Sequence, residues 1–207
     1  MKESLAKVIL SRRMVVAFIM GFASGLPLLL TMTVLQAWMQ EKGVDLTVIG
    51  LFALVGLPYT LKFLWAPVMD RFTLSFLGRR RGWLLVAQLA LICSVVGLGM
   101  TDPGKSPWIV ALAALLVTFF SASQDIVIDA YRREDLADEE LGLGSSFYVN
   151  GYRVGMLLAS GGGLIMADFI PFSKVYLIMA ICLLPTVVTT LLTPEPVAPT
   201  GRPKSMS

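Results

Sequence analysis

The chain has 207 residues, 56% of them hydrophobic and only 15% charged, with a formal net charge of +3 and no histidine. Its mean hydropathy is +0.77. A soluble domain carries about 25% charged and 45–50% apolar residues, so a water-soluble globular protein is excluded and a polytopic membrane protein is predicted. At about 20 apolar residues per spanning helix, the length holds six spans and not twelve.

A basic segment, residues 1–13, comes first. Six apolar segments follow, over Met14–Met39, Val48–Val68, Trp83–Met100, Trp108–Ala130, Leu143–Met166 and Val175–Leu192. They predict an all-α transmembrane bundle over residues 14–192. The first exceeds the roughly 7–15-residue core of a signal peptide, so it is expected to be retained. Residues 193–207, TPEPVAPTGRPKSMS, are rich in proline and serine and read as the start of a disordered linker.

The charges set an orientation. Lys2, Lys7, Arg12, Arg13, Arg71, Arg79, Arg80, Arg81, Arg132, Arg133, Arg202 and Lys204 fall on one side of the predicted bundle. Only Lys42, Lys105 and Lys174 fall on the other, while Lys62 and Arg153 lie within spans. The positive-inside rule then puts both termini in the cytoplasm. The basic character is a topology signal, and no nucleic-acid partner is expected. Cys93 and Cys182 sit in apolar spans without metal-ligand spacing, so neither a metal site nor a cofactor is expected. No motif of a soluble enzyme is present.

Ionisable residues inside the bilayer carry the most information. Each costs at least about 2.5–3.5 kcal/mol at the centre of a span, so such residues face polar cavities. Asp125 and Asp129, four apart, share one helix face with Ser121. At 1.5 Å per residue, Asp125 lies roughly 10 Å inward from Arg132, and Arg153 roughly 15 Å deep. Lys62 is near the inner end of span two. Plainer readings stand beside these: Lys62 snorkelling, Asp129 pairing with Arg132 or Arg133, and Asp125 in a structural ion pair with Arg153. Together they predict a charged cavity open to the cytoplasmic side. Carboxylates in such places carry protons, because burial favours the neutral form and a nearby cation the charged one. The proton-coupling candidates are Asp125 and Asp129. The cargo-contact candidates are Gln124, Lys62, Arg153, Tyr152, Gln36 and Trp38; Trp38 also fits an interfacial belt.

Two patterns concern packing and motion. Gly21-x-x-x-Gly25, followed by Pro27, and Gly151-x-x-x-Gly155, followed by the run Gly161–Gly163, permit close helix approach and bending. Between spans two and three, Asp70-Arg71 precedes Gly78-Arg79-Arg80-Arg81. An acid beside a basic turn can latch one conformation of a moving bundle, though positive-inside decoration also accounts for it. The spacing resembles the signature loop of the major facilitator superfamily, with a few extra residues between Arg71 and Gly78.

The segments GFASGLPLLLTMTVLQAWM (Gly21–Met39), KFLWAPVMDRF (Lys62–Phe72), GRRRGWLL (Gly78–Leu85), SASQDIVIDAYR (Ser121–Arg132) and GYRVGML (Gly151–Leu157) resemble the AmpG muropeptide permease family, in its order across the first five spans. The resemblance implies the N-terminal six-helix half of a major facilitator superfamily fold, built from two inverted three-helix repeats. It implies a proton-driven importer of N-acetylglucosaminyl-1,6-anhydro-N-acetylmuramic acid and its peptides at the bacterial inner membrane. Such an importer serves cell-wall recycling and β-lactamase induction. Its partners are the muropeptide, protons, membrane lipid and a missing C-terminal half. Two other classes stand beside it: a six-helix channel or structural subunit, and a membrane-embedded metal-dependent lipid-phosphate enzyme. Such enzymes place paired acids as D-D-x-x-D or D-G-x-x-A-R, and Asp125 and Asp129 match neither.

Overall fold

The computed structural model describes residues 11–72, 74 and 77–196. The described chain forms α1 (Arg12–Glu41), α2 (Leu46–Leu64), α3 (Arg79–Gly99), α4 (Pro107–Asp135), α5 (residues 141–167) and α6 (Phe172–Leu192). A short helix, Ala66–Arg71, prolongs α2. All but α5 are long and apolar enough to cross a membrane. α5 joins stretches of 17, 5 and 5 residues; it has the length, but Asn150, Arg153 and its glycines dilute its hydropathy.

The two ends of the bundle are fixed by contact. At one end Arg13 meets Glu140 at 2.6 Å and Arg12 meets Asp135 at 3.6 Å, while Arg80 pairs with Asp70 and Glu134. This is the basic end. The Arg13 guanidinium donates to Glu140 and holds that carboxyl below its ordinary range. At the opposite end Trp38 stacks on Phe172, with ring centroids 5.8 Å apart, and lies 5.5 Å from Tyr176. The helices therefore alternate in direction. α1 packs on α5, α4 and α6; α3 packs on α4 and α6; α2 packs on α4. Exchanging α1–α3 with α4–α6 maps these pairs onto one another, as inverted repeats require.

The tightest crossing is α1 on α5. A Cβ on Gly21 would strike the carbonyl of Tyr148, and one on Gly25 that of Tyr152. From the other side, a Cβ on Gly151 would strike the Phe18 carbonyl. The backbones touch because these residues lack side chains.

Proline shapes α1 next. Pro27 lies inside the helix and has no N–H to give the Ala23 carbonyl; the side-chain amide of Gln124 donates to that oxygen instead, at 3.1 Å. One turn later the helix widens into a π segment, Leu30–Val34. There the Leu30 carbonyl accepts both from Leu35 N–H and, at 3.0 Å, from the Tyr176 hydroxyl. α2 is overwound instead, with 3₁₀ turns at Phe52–Gly56 and Lys62–Leu64. The Val55 carbonyl takes a hydrogen bond from Thr118 Oγ1 at 2.7 Å. α4 thus braces both irregular neighbours.

Residues 1–10 and 197–207, most of the two predicted terminal segments, lie outside the described residues. The expected linker at 193 needs correction for its first four residues. Thr193 is buried, the Pro194 carbonyl accepts from Tyr131 Oη at 3.0 Å, and Glu195 returns to α3.

Substituting valine at Gly151 forces two backbones apart. We expect it to destabilise the detergent-solubilised chain by about 3 kcal/mol or more, the upper range of overpacking. Gly142→Ala, with open space around its Cα, serves as control and leaves the thermal midpoint unchanged or raised. Equal midpoints for wild type and Gly151→Val would contradict the crossing.

Candidate functional site

α4 presents Ser121, Gln124 and Asp125 toward α1 and α2, and Asp129 one turn nearer the basic end. Asp125 is 8% exposed, and Ser24, Ser121 and Gln124 are fully buried. Among the described residues, Asp125 Oδ1, Ser24 Oγ, Ser121 Oγ, Gln124 Oε1 and the Tyr59 hydroxyl are buried atoms with no hydrogen-bond partner. Ser24 is the polar neighbour of the Asp125 carboxylate, and Ser121 that of the Tyr59 hydroxyl. Five such atoms in one place are unusual, since buried polar groups are nearly always paired. The cluster is a buried polar patch between α1, α2 and α4, called the pocket below.

Asp125 has no ion-pair partner among the described residues, so the structural-ion-pair reading is corrected. Lys62 reaches Asp129 instead, Nζ to Oδ2 3.9 Å. The second Asp129 oxygen takes Arg132 Nη2 at 3.2 Å. The Arg132 guanidinium lies 4.4 Å from the Tyr148 ring centroid, and Tyr148 and Tyr152 pair at 6.3 Å. Both tyrosines, with Lys62, Asp129 and Tyr59, are the titratable groups whose fields reach Asp125. The α1–α5 crossing is what brings Tyr148 and Tyr152 to this place.

Two expected cargo contacts lie elsewhere, and a third is committed within the bundle. Arg153 is exposed on the outer face of α5 and pairs with no acid among the described residues. Its helix turns Gly151 and Gly155 to α1, which sends Arg153 away from Asp125. Trp38 is 4% exposed and spent on α6. Gln124 is buried, its amide committed to the carbonyl that Pro27 frees, so in this arrangement it braces α4 against α1. Gln36 is half-buried, one turn past Met32, whose methyl group abuts Gly56 of α2. Tyr152 and Lys62 remain at the pocket.

The basic loop forms a network. Arg80 is 3% exposed and meets Glu134 through Nη2 at 3.0 Å while also holding Asp70. Arg79 meets the same glutamate at 2.6 Å. Glu195 caps α3, accepting from Arg80 N–H at 2.7 Å and Arg81 N–H at 3.1 Å. Gly78 makes this possible: its φ is +100°, and a Cβ would collide with the Glu195 carboxylate. The Arg81 guanidinium in turn donates to the Thr190 and Leu191 carbonyls at the end of α6, at 2.9 and 2.7 Å. Arg71, expected in the latch, is exposed and takes no part in this network. It follows Asp70 on a short helix whose inward face is already used.

Ser24, Tyr59, Glu134 and Glu195 were not among the candidates. Tyr59 had a signal, lying three residues before Lys62 on the same helical face. Glu195 did too, as the single acid after the last span, on the side of the arginines. Ser24 reads as one more small packing residue, and Glu134 as one of five acids in a loop. Among the described residues, no three His, Cys, Asp or Glu side chains gather as a metal ion requires.

We expect Arg80→Ala to cost about 3–5 kcal/mol, because it removes a buried guanidinium that pairs with both Glu134 and Asp70. Glu195→Ala, which removes only a helix-end carboxylate, costs about 1–2 kcal/mol. Denaturation of both variants in detergent checks the ranking, and equal losses would contradict it.

Residues 14–206 match the Major Facilitator Superfamily. The chain is 47% identical to the anhydromuropeptide permease of Escherichia coli K12 over 94% of its own length and 40% of the permease's. The protein of the same name in E. coli O157:H7 gives the same figures. A Haemophilus influenzae protein is 45% identical over 92% of this chain and 45% of its own length. The chain thus spans less than half the length of the curated relatives it matches.

Proposed function

The chain belongs to the Major Facilitator Superfamily, and we propose from that premise that it supplies the first six helices of a proton-driven anhydromuropeptide importer. One observation carries the proposal: a buried carboxylate, Asp125, in no ion pair among the described residues, lies among buried polar atoms without hydrogen-bond partners in a chain 47% identical to a permease of that cargo. A carboxylate so placed gains and loses a proton more readily than it forms a lasting ion pair. The named relatives are permeases, which favours a carrier over a channel subunit or a lipid-phosphate enzyme. The cargo is the disaccharide N-acetylglucosaminyl-1,6-anhydro-N-acetylmuramic acid and its peptides, and import feeds cell-wall recycling and β-lactamase induction.

In this reading Asp125 carries the proton, with Asp129 and Lys62 as an adjoining pair toward the basic end. Tyr152 and Gln36 line the route of the cargo. The polar residues at bilayer depth, exposed Asp129, Asn150 and Arg153 with half-buried Lys62, are costly against lipid and mark the face turned to a second six-helix half and the cavity. Leucines such as Leu112, Leu115 and Leu116 on α4, all exposed, meet lipid or that half. The basic end lies in the cytoplasm, the membrane is the bacterial inner membrane, and residues 14–192 form one unit with both termini cytoplasmic.

Expressing the chain joined to the remaining helices of the E. coli permease, in a host lacking its own, tests this. Wild type accumulates labelled anhydromuropeptide against a gradient. Asp125→Asn lowers accumulation at least about tenfold, equivalent to about 1.4 kcal/mol of lost coupling, while cargo exchange at equal concentrations continues. No uptake by wild type would contradict the cargo, and undiminished accumulation by Asp125→Asn would contradict the proton site.

A further inference from the structure

Tyr59 reaches the polar cluster from α2. It is a buried phenol on the overwound helix α2, and its polar neighbour Ser121 does not meet it in hydrogen-bonding geometry. Leaving a hydroxyl buried and unpaired costs about 1–3 kcal/mol, and a phenylalanine of nearly the same shape would remove that cost. The hydroxyl lies beside Ser121, within the electrostatic reach of Asp125 and Tyr152. Across the pocket Asp125 Oδ1 is also unpaired. A phenol is a donor and a carboxylate oxygen an acceptor, so the two unmet needs are complementary.

We propose that Tyr59 is a positioning residue for the Asp125 proton, its hydroxyl closing onto Asp125 Oδ1 in a second state of the bundle. This rests on the reading of Asp125 as the proton carrier. The means of closure is in α2. Tyr59 sits in the five-residue helix Leu57–Leu61, with a 3₁₀ turn on each side. Such a turn rises about 2.0 Å per residue against 1.5 Å in an α-helix. Exchanging one of its residues between the two geometries advances Tyr59 by about 0.5 Å and turns it around the helix axis. α2 is also the least buried of the apolar helices, so fewer contacts resist that change.

The other groups around Asp125 do not fill the role. On α1 the neighbour is Ser24, already beside the carboxylate. On α2 Lys62 is held by Asp129, and on α4 Asp129 is held by Lys62 and Arg132. On α5 Tyr148 lies against Arg132 and Tyr152 pairs with Tyr148. No proton need leave Tyr59: it donates to Oδ1 when the carboxyl arrives, whether that carboxyl is protonated or ionised.

The purified chain reports this directly by infrared difference spectroscopy across a pH titration. The protonated Asp125 carboxyl gives a C=O band identified by its loss in Asp125→Asn. Removing a hydrogen bond to that oxygen moves the band to higher wavenumber, so Tyr59→Phe shifts it upward and Tyr152→Phe does not. In chain with ring-labelled tyrosine and no substitution, the same titration moves one phenolic C–O band, and Asp125→Asn abolishes that movement. No carboxyl band lost in Asp125→Asn would overturn the Asp125 reading itself. A band present but unmoved in Tyr59→Phe, or a phenolic band that ignores Asp125, would overturn only the role of Tyr59. A merely structural tyrosine would raise or lower the melting temperature without moving either band.

Discussion

Two helix backbones touch where α1 crosses α5, and the rest of the site depends on that contact. Glycine at positions 21, 25, 151 and 155 removes the side chains that would keep the axes apart. Closer axes carry Tyr148 and Tyr152 of α5 to the same place as Ser24 of α1, beside Asp125 of α4. Within a bilayer there is no hydrophobic drive between helices, so close packing and polar contacts must hold such a bundle. The glycine crossing supplies the first. The bonds from α4 to α1 and α2, through Gln124 and Thr118, supply the second.

Irregular backbone follows the same logic. Pro27 frees the Ala23 carbonyl, and Gln124 satisfies it; the π segment opens the Leu30 carbonyl, and Tyr176 satisfies it. Irregular backbone at membrane depth survives only where neighbouring helices meet its polar groups. The pocket around Asp125 is the exception, with five unpaired polar atoms. A bundle that pairs its freed carbonyls so closely leaves these side chains unpaired, which is why the proposed proton site is placed here. The basic end answers a different need. Arg79, Arg80 and Arg81 tie α3 to α2, α4 and α6 through Asp70, Glu134, Glu195 and two carbonyls, fixing one arrangement of the helices.

Depth was legible in the sequence, and direction around each helix was not. Counting residues from Arg132 placed Asp125 deep, and the four-residue spacing placed Asp129 on its face. The spacing of Gly21, Gly25, Gly151 and Gly155 announced a close approach without naming the partner helix. Arg153 and Trp38 have the chemistry of cargo contacts, but their azimuth depends on which helix each span packs against, and that pairing leaves no local trace. Gln124 looked like a sugar ligand because its demand arises 101 residues away, at a carbonyl freed by Pro27. Glu195 was hidden by composition: two flanking prolines suggest a linker, yet they hold the carboxylate against the start of α3.

The central claim is that Asp125 is the acid that takes up the proton in a membrane-embedded pocket. Dicyclohexylcarbodiimide, which reacts with protonated carboxyls in apolar surroundings, tests it on the chain in membranes, with peptide mass analysis to locate the adduct. One adduct is expected, on the peptide bearing Asp125, formed more slowly as pH rises and absent from Asp125→Asn. An adduct confined to Asp129, or labelling of Asp125 that ignores pH, would contradict it.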